Sequence, residues 1–118
     1  MNAQQKAPVQ GFPQNWGTKQ VEVGELAGPA TYVTGGQTVN ASDFGWGGFD
    51  AFLMPMLSYS GTYYFLVQPL TVDASPSAQK PQLTSVKVIW MVVATGVEAA
   101  NGLTTLDDEV ARFIAISI

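Results

Sequence analysis

With neither histidine nor cysteine in the chain, the usual general base and the strongest nucleophile are missing, and acid–base chemistry would fall to its nine carboxylates. A pair of carboxylates flanking a bond is enough for glycoside hydrolysis. Two sets qualify for inspection: Asp43 with Asp50, and the run Asp107-Asp108-Glu109. Asp43 follows Ser42 in a turn-like stretch, where an Asx side chain caps the backbone. The run at Asp107 stands at Ser/Thr-x-x-Asp/Glu spacing from Thr104 and Thr105, which predicts carboxylates at the positive end of a short helical turn. Three successive acids also lack the alternating ligand spacing of a calcium loop. The absence of Cys removes disulfides and thiolate metal sites. Gly45 to Gly48 is glycine-rich but has no lysine or capped helix after it, so it does not read as a phosphate cradle. These residues predict a non-enzymatic protein with no catalytic residue, no cofactor and no metal.

The aromatic side chains are the other candidates. Trp46, Phe49, Tyr59, Tyr63 and Tyr64 could together make a platform for sugar rings, with Asn and Gln for the hydroxyls; aromatic-rich strands are more often core. Phe12 and Trp16 stand in a polar stretch with Pro8, Pro13 and several glutamines. Residues 1–17 therefore read as an extended N-terminal arm, either a terminus with its aromatics tucked onto the domain or an arm anchored by them on another subunit.

The elements that position these residues are strands. Leu83 to Ala94 is β-branched and aromatic, with neither Gly nor Pro, and reads as the central strand. Val86, Val88, Trp90 and Val92 would line the core face; Lys87, Ile89, Met91 and Val93 the other, which a second sheet or a neighbouring subunit would cover. Thr18 to Leu26 reads as a half-exposed strand with Val21 and Val23 inward and Gln20, Glu22 and Gly24 outward. Gly35-Gly36, between Ala30–Thr34 and Gln37–Ala41, has the signature of a two-residue hairpin. Phe49 to Tyr59 is an apolar run that Pro55 puts at an edge, bulges or breaks. Thr62 to Leu70 is a strand ended by Pro69, Thr71 to Gln82 a long loop, and Arg112 to Ile118 a closing strand with Ile114, Ile116 and Ile118 on one face. Turn signals every 8–12 residues predict an all-β fold, an antiparallel β-sandwich or jelly-roll-like barrel over residues 18–118.

Length and composition agree with a single domain. Charged residues make up only 12% of the 118, about half the usual share of roughly 25%. The surface must be covered by uncharged polar residues or partly hidden in an assembly. The five basic residues are scattered over a chain of net charge −4, which argues against nucleic acid. No stretch has the roughly 20 apolar residues of a membrane span. The N-terminus has no apolar core of a secretory signal, so synthesis in a cytoplasm is expected.

Taken whole, residues 25–118 resemble the small head-decoration, or cement, proteins of tailed bacteriophages. The likeness rests on Gly28-Pro29-Ala30-Thr31-Tyr32 with Thr34-Gly35-Gly36-Gln37-Thr38-Val39, on Ala41-Ser42-Asp43-Phe44-Gly45, on Ser60-Gly61-Thr62-Tyr63, on Val86-Lys87-Val88-Ile89-Trp90 and on the closing segment Leu106 to Arg112. The resemblance implies a β-rich, commonly trimeric protein on the capsid exterior of a virion. Its partner would be the major capsid protein, and its role to stabilise the lattice. Trp46-Gly47-Gly48 and the N-terminal arm are not parts of that pattern, and Phe12, Trp16, Trp46 and Phe49 are the expected partner contacts. Composition fits independently, because docking on a lattice needs apolar and hydrogen-bonding surface, and several weak contacts in a trimer add up. The alternatives are a carbohydrate-binding β-sandwich on a phage fibre and a tail or neck component.

Overall fold

A computed structural model of the chain describes residues 6–9, 11–73 and 82–118. Eight strands join antiparallel into one sheet: β1 (Lys6–Pro8), β2 (Gln14–Trp16), β3 (Lys19–Ala27), β4 (Gln37–Asn40), β5 (Phe49–Leu53), β6 (Tyr63–Asp73), β7 (Gln82–Val92) and β8 (Val110–Ser117). The path runs β1-β3-β8-β5-β7-β4, with β2 also on β3 and β6 also on β7. The sheet curls into a half-barrel. The all-β antiparallel expectation is met, with the core gathered inside the curl. Two 3-10 turns, Ala41–Phe44 and Leu106–Asp108, complete the described elements.

β7 is central, as its residues predict: β6 pairs along one side of it, while β4 and the start of β5 take the other. Val86, Val88 and Trp90 are fully buried, and Val92 is half-buried. Trp90 is held by its neighbours' polar groups as well as by packing. Its indole N–H donates to Gln37 Oε1 at 3.1 Å, and its backbone N–H donates to the Tyr32 hydroxyl at 3.3 Å. Phe65 meets the indole edge-on, with ring centroids 4.7 Å apart. On the opposite face Ile89 is buried within the chain, Met91 is half-buried and Val93 is exposed.

β3 keeps its expected phase only at its start, where Val21 is buried and Gln20 exposed; Glu22 and Gly24 are buried too, contrary to expectation. Glu22, Gly24 and Leu26 face the core, opposite Ala115, Phe113 and Ala111. Gly24 makes this possible: a Cβ there would sit 2.8 Å from the Phe113 ring and 2.6 Å from the Ala7 carbonyl. Glu22 is tolerated inside because Lys6, arriving on β1, pairs with it at 2.8 Å and lies 4.6 Å from the centre of the Phe44 ring. Val21, fully buried, and Val23, half-buried, lie on the other face, opposite Ile116 and Ile114.

Three other expectations need correction. Gly35 and Gly36 both have positive φ, but Ala30–Thr34 is not a strand. Tyr32 instead drives its ring into the core and exchanges backbone hydrogen bonds with Gly102 and Leu103, and β4 pairs with β7. β6 does not end at Pro69 but continues to Asp73 through a register shift. Within the expected loop Thr71–Gln82, residues 71–73 and 82 are strand, and 74–81 lie outside the described residues. Of the expected N-terminal arm, residues 1–5 and 10 lie outside the described ones; β1 and β2 pair with the edge of β3.

Candidate functional site

The carboxylates are dispersed and mostly engaged in structure. Asp43 accepts the Asn40 N–H at 3.0 Å and closes a capping box on the first 3-10 turn. Asp50 is paired with Lys19 on the surface. Asp107 and Asp108 are exposed in the second turn, while Glu109 accepts from Ser60 Oγ at 2.9 Å. Among the described residues no group of three or more acidic side chains could hold a metal ion. Among the described residues the strongly perturbed group is the Tyr32 phenol, which burial, and then its 2.7 Å hydrogen bond to Glu98, push well above the usual tyrosine range. That bond ties the Tyr32 segment to the Glu98 turn.

The aromatic candidates fall into different environments. Phe49 is a core residue, 2% exposed, so its ring is not offered to a partner. It opens β5 and packs against Phe44 and Phe52, which corrects the expectation of a partner contact there. Trp46 is half-buried, stacked on Phe44 at 4.8 Å, and its indole N–H donates to Gln20 Oε1 at 2.7 Å. Phe12 is half-buried and Trp16 is exposed, beside Lys19 on the edge of the sheet. Tyr59 donates to Glu25 and accepts from Arg112, and Tyr63 leans on Trp90. The five proposed platform rings are thus not assembled on one face.

What the fold does assemble is an apolar seam. β5 leaves β7 after Phe49, and between its tail and β6 lies a hollow of about 490 Å³. Phe52, Met54 and Pro55 form one wall, Val67 and Pro69 the other, and Leu83 and Val86 line it from β7. Among the described residues no charged side chain borders it.

β6 presents a bare backbone along that seam. Ser58 N–H donates to the Tyr63 carbonyl at 2.9 Å and Ser58 Oγ accepts the Tyr63 N–H at 3.1 Å, so the Tyr63 backbone points away from β7. On β7, Trp90 and Val92 turn their groups towards Ala99 and Val97, away from β6. Alternation along an antiparallel pair then aims the N–H and C=O of Phe65 and Val67, and the C=O of Pro69, outwards. No backbone hydrogen bond to these outward groups is found among the described residues. Pro69 occupies a slot whose missing N–H would have faced outwards, which is why the strand runs through it.

Exposed apolar side chains cluster around the same edge. Leu66, Leu70 and Val72 on β6 and Leu53, Met56 and Leu57 at and beyond the end of β5 make up half of the exposed large apolar residues among those described. Edge strands are normally guarded by charge, especially lysine. Here the guard is Pro69 alone. The signal was present in the amino-acid order: Asp50 and Asp73 bracket a run, Ala51 to Val72, without a single charged residue.

No protein-family model matches the chain, and no curated protein and no solved structure matches it.

Proposed function

We propose that this chain is a non-enzymatic structural protein of a phage virion, one that docks on the outer surface of the capsid and stabilises the lattice. The observation that carries the docking half of this reading is the uncharged edge of β6 with its exposed apolar surroundings. Apolar patches of this kind mark interaction surfaces, and the chain spends little charge elsewhere to keep its surface solvated. The capsid half rests on the resemblance of residues 25–118 to decoration proteins. The partner in this reading is the major capsid protein, and self-association into a trimer would multiply weak contacts at each site.

The test is co-sedimentation of the purified protein with undecorated phage heads, with Leu66→Lys as a comparison. Leu66 is exposed on β6, so a charge there disturbs docking without opening the core. The native chain is expected to pellet with heads and L66K to stay in the supernatant. A native chain that remains in the supernatant at saturating heads overturns the reading.

A further inference from the structure

Resting on that docking reading, we infer that the seam between the tail of β5 and β6 is a strand-acceptor site. Its occupant is an extended, uncharged segment of another protein, which adds a strand to β6 and places alternate side chains in the apolar hollow. In strand addition, main-chain hydrogen bonds provide affinity, and pockets for every second side chain provide selectivity.

The outward groups of Phe65, Val67 and Pro69 offer two donors and three acceptors over five residues, with no partner among the described residues. Ser58 already occupies the position opposite Tyr63, so the site has a closed end and accepts roughly five residues. Every described side chain that lines the hollow is uncharged. A Lys or Asp pointing inwards would lose its water with no counter-ion to replace it, which fixes the inward positions of the occupant as apolar.

The same geometry argues against a second copy of β6 as the occupant. In the symmetric antiparallel register that uses all four outward groups of Phe65 and Val67, each Phe65 faces the Val67 of the other copy. That register brings Pro69 of the second copy opposite Tyr63, where Ser58 sits. Sliding the strands to avoid Ser58 sets the donorless Pro69 against Val67 and loses hydrogen bonds. An unrelated strand with no proline meets neither obstacle.

The probe is a capped pentapeptide alternating valine and threonine, titrated into the full-length ¹⁵N-labelled protein. Saturating shifts of the Phe65 and Val67 amides are expected, and a companion peptide with lysine in place of valine should produce none. Val67→Pro removes one outward donor and leaves the β6–β7 ladder intact, and should weaken binding at least tenfold. Met54→Asp puts a charge in the wall of the hollow and should have a similar effect; near-ultraviolet dichroism from Trp90 checks that either variant is folded. Peptide-induced shifts confined to other surfaces, or affinity unchanged in both folded variants, would overturn the inference. So would the absence of any shift at millimolar peptide. Concentration-dependent shifts of the same amides without peptide would assign the edge to a second copy and overturn it equally. Peptide binding by a protein that fails to sediment with heads would leave the acceptor site standing and remove only the capsid reading.

Discussion

Removing the ammonium of Lys6 tests how the N-terminal segment is held in the isolated protein. Lys6 and Glu22 are 2.8 Å apart with side chains only 12% and 6% exposed, and the Phe44 ring covers the ammonium. Lys6→Met keeps the apolar stem and strands the Glu22 carboxylate beside Gly24 and Phe113. Breaking one half of a buried pair costs about 3–5 kcal/mol, because the remaining charge keeps its desolvation penalty. For a chain of 118 residues the unfolding entropy is roughly 250 cal/mol/K, so the melting temperature should fall by roughly 12–20 °C. The double variant Lys6→Met/Glu22→Leu removes both charges and should recover most of the loss, since an apolar replacement of a buried pair is often neutral. Asp50→Asn is the control: its pair with Lys19 is 44% and 42% exposed, and should be worth no more than about 1 kcal/mol. Urea unfolding of the four proteins gives the comparison. If Lys6→Met costs no more than Asp50→Asn, β1 frays in solution and Glu22 finds water, and the account of the inward Glu22 on β3 fails.

Trp90→Ala should cost about 3–5 kcal/mol by urea unfolding, because a fully buried indole leaves a cavity that the ladder around it cannot fill. Tyr32 should stay protonated well above the usual tyrosine pKa of about 10, because burial and its bond to Glu98 raise it; absorbance titration at the phenolate band, Tyr32→Phe against parent, reads this directly. Because the folded-state value is raised, the contribution is complete below pH ~10 and is lost as pH climbs above it towards the folded-state value. Gly28→Ala should destabilise by about 1–3 kcal/mol, since the new Cβ would meet the Leu106 carbonyl oxygen at 2.2 Å; a melting temperature within a degree of the parent would contradict the close approach.

The parts of the fold that could be read from the residues are those with one dominant local cause. The continuous β-branched run around Trp90 can only be a covered strand, and Asp43 beside Ser42 does cap a turn. The errors arose where a distant residue decides. The phase of β3 turns on Lys6, sixteen positions upstream of Glu22, and on the size of Phe113 across the sheet; the local alternation of Val21 and Val23 carries neither fact. Gly35 and Gly36 do turn the chain, but Tyr32 is claimed by Glu98 and by the backbone of residues 102–103 before a hairpin can form. Phe49 was expected both to open an apolar run and to meet a partner, and its burial depends on Phe44 arriving from the first 3-10 turn and on Phe52 further along β5.

The seam follows from an imbalance between the two long margins of the sheet. β3 would expose its outer edge, but β1 and β2 are drawn from the same chain to cover it, and Lys6 anchors them. Among the described residues β6 has no such cover beyond Ser58, although its length and its apolar residues would favour pairing more strongly. A soluble chain normally relieves such an edge with charge, and this one places its nearest acidic residues at Asp50 and Asp73, just outside the run. Pro69 is a weaker guard: it removes one donor from the edge but leaves its carbonyl, and those of Phe65 and Val67, available. The arrangement deters pairing with an identical strand, which would bring a second proline into register, more than pairing with a foreign strand that has none. That asymmetry is the physical basis for assigning the open edge to a partner rather than to another copy of the chain.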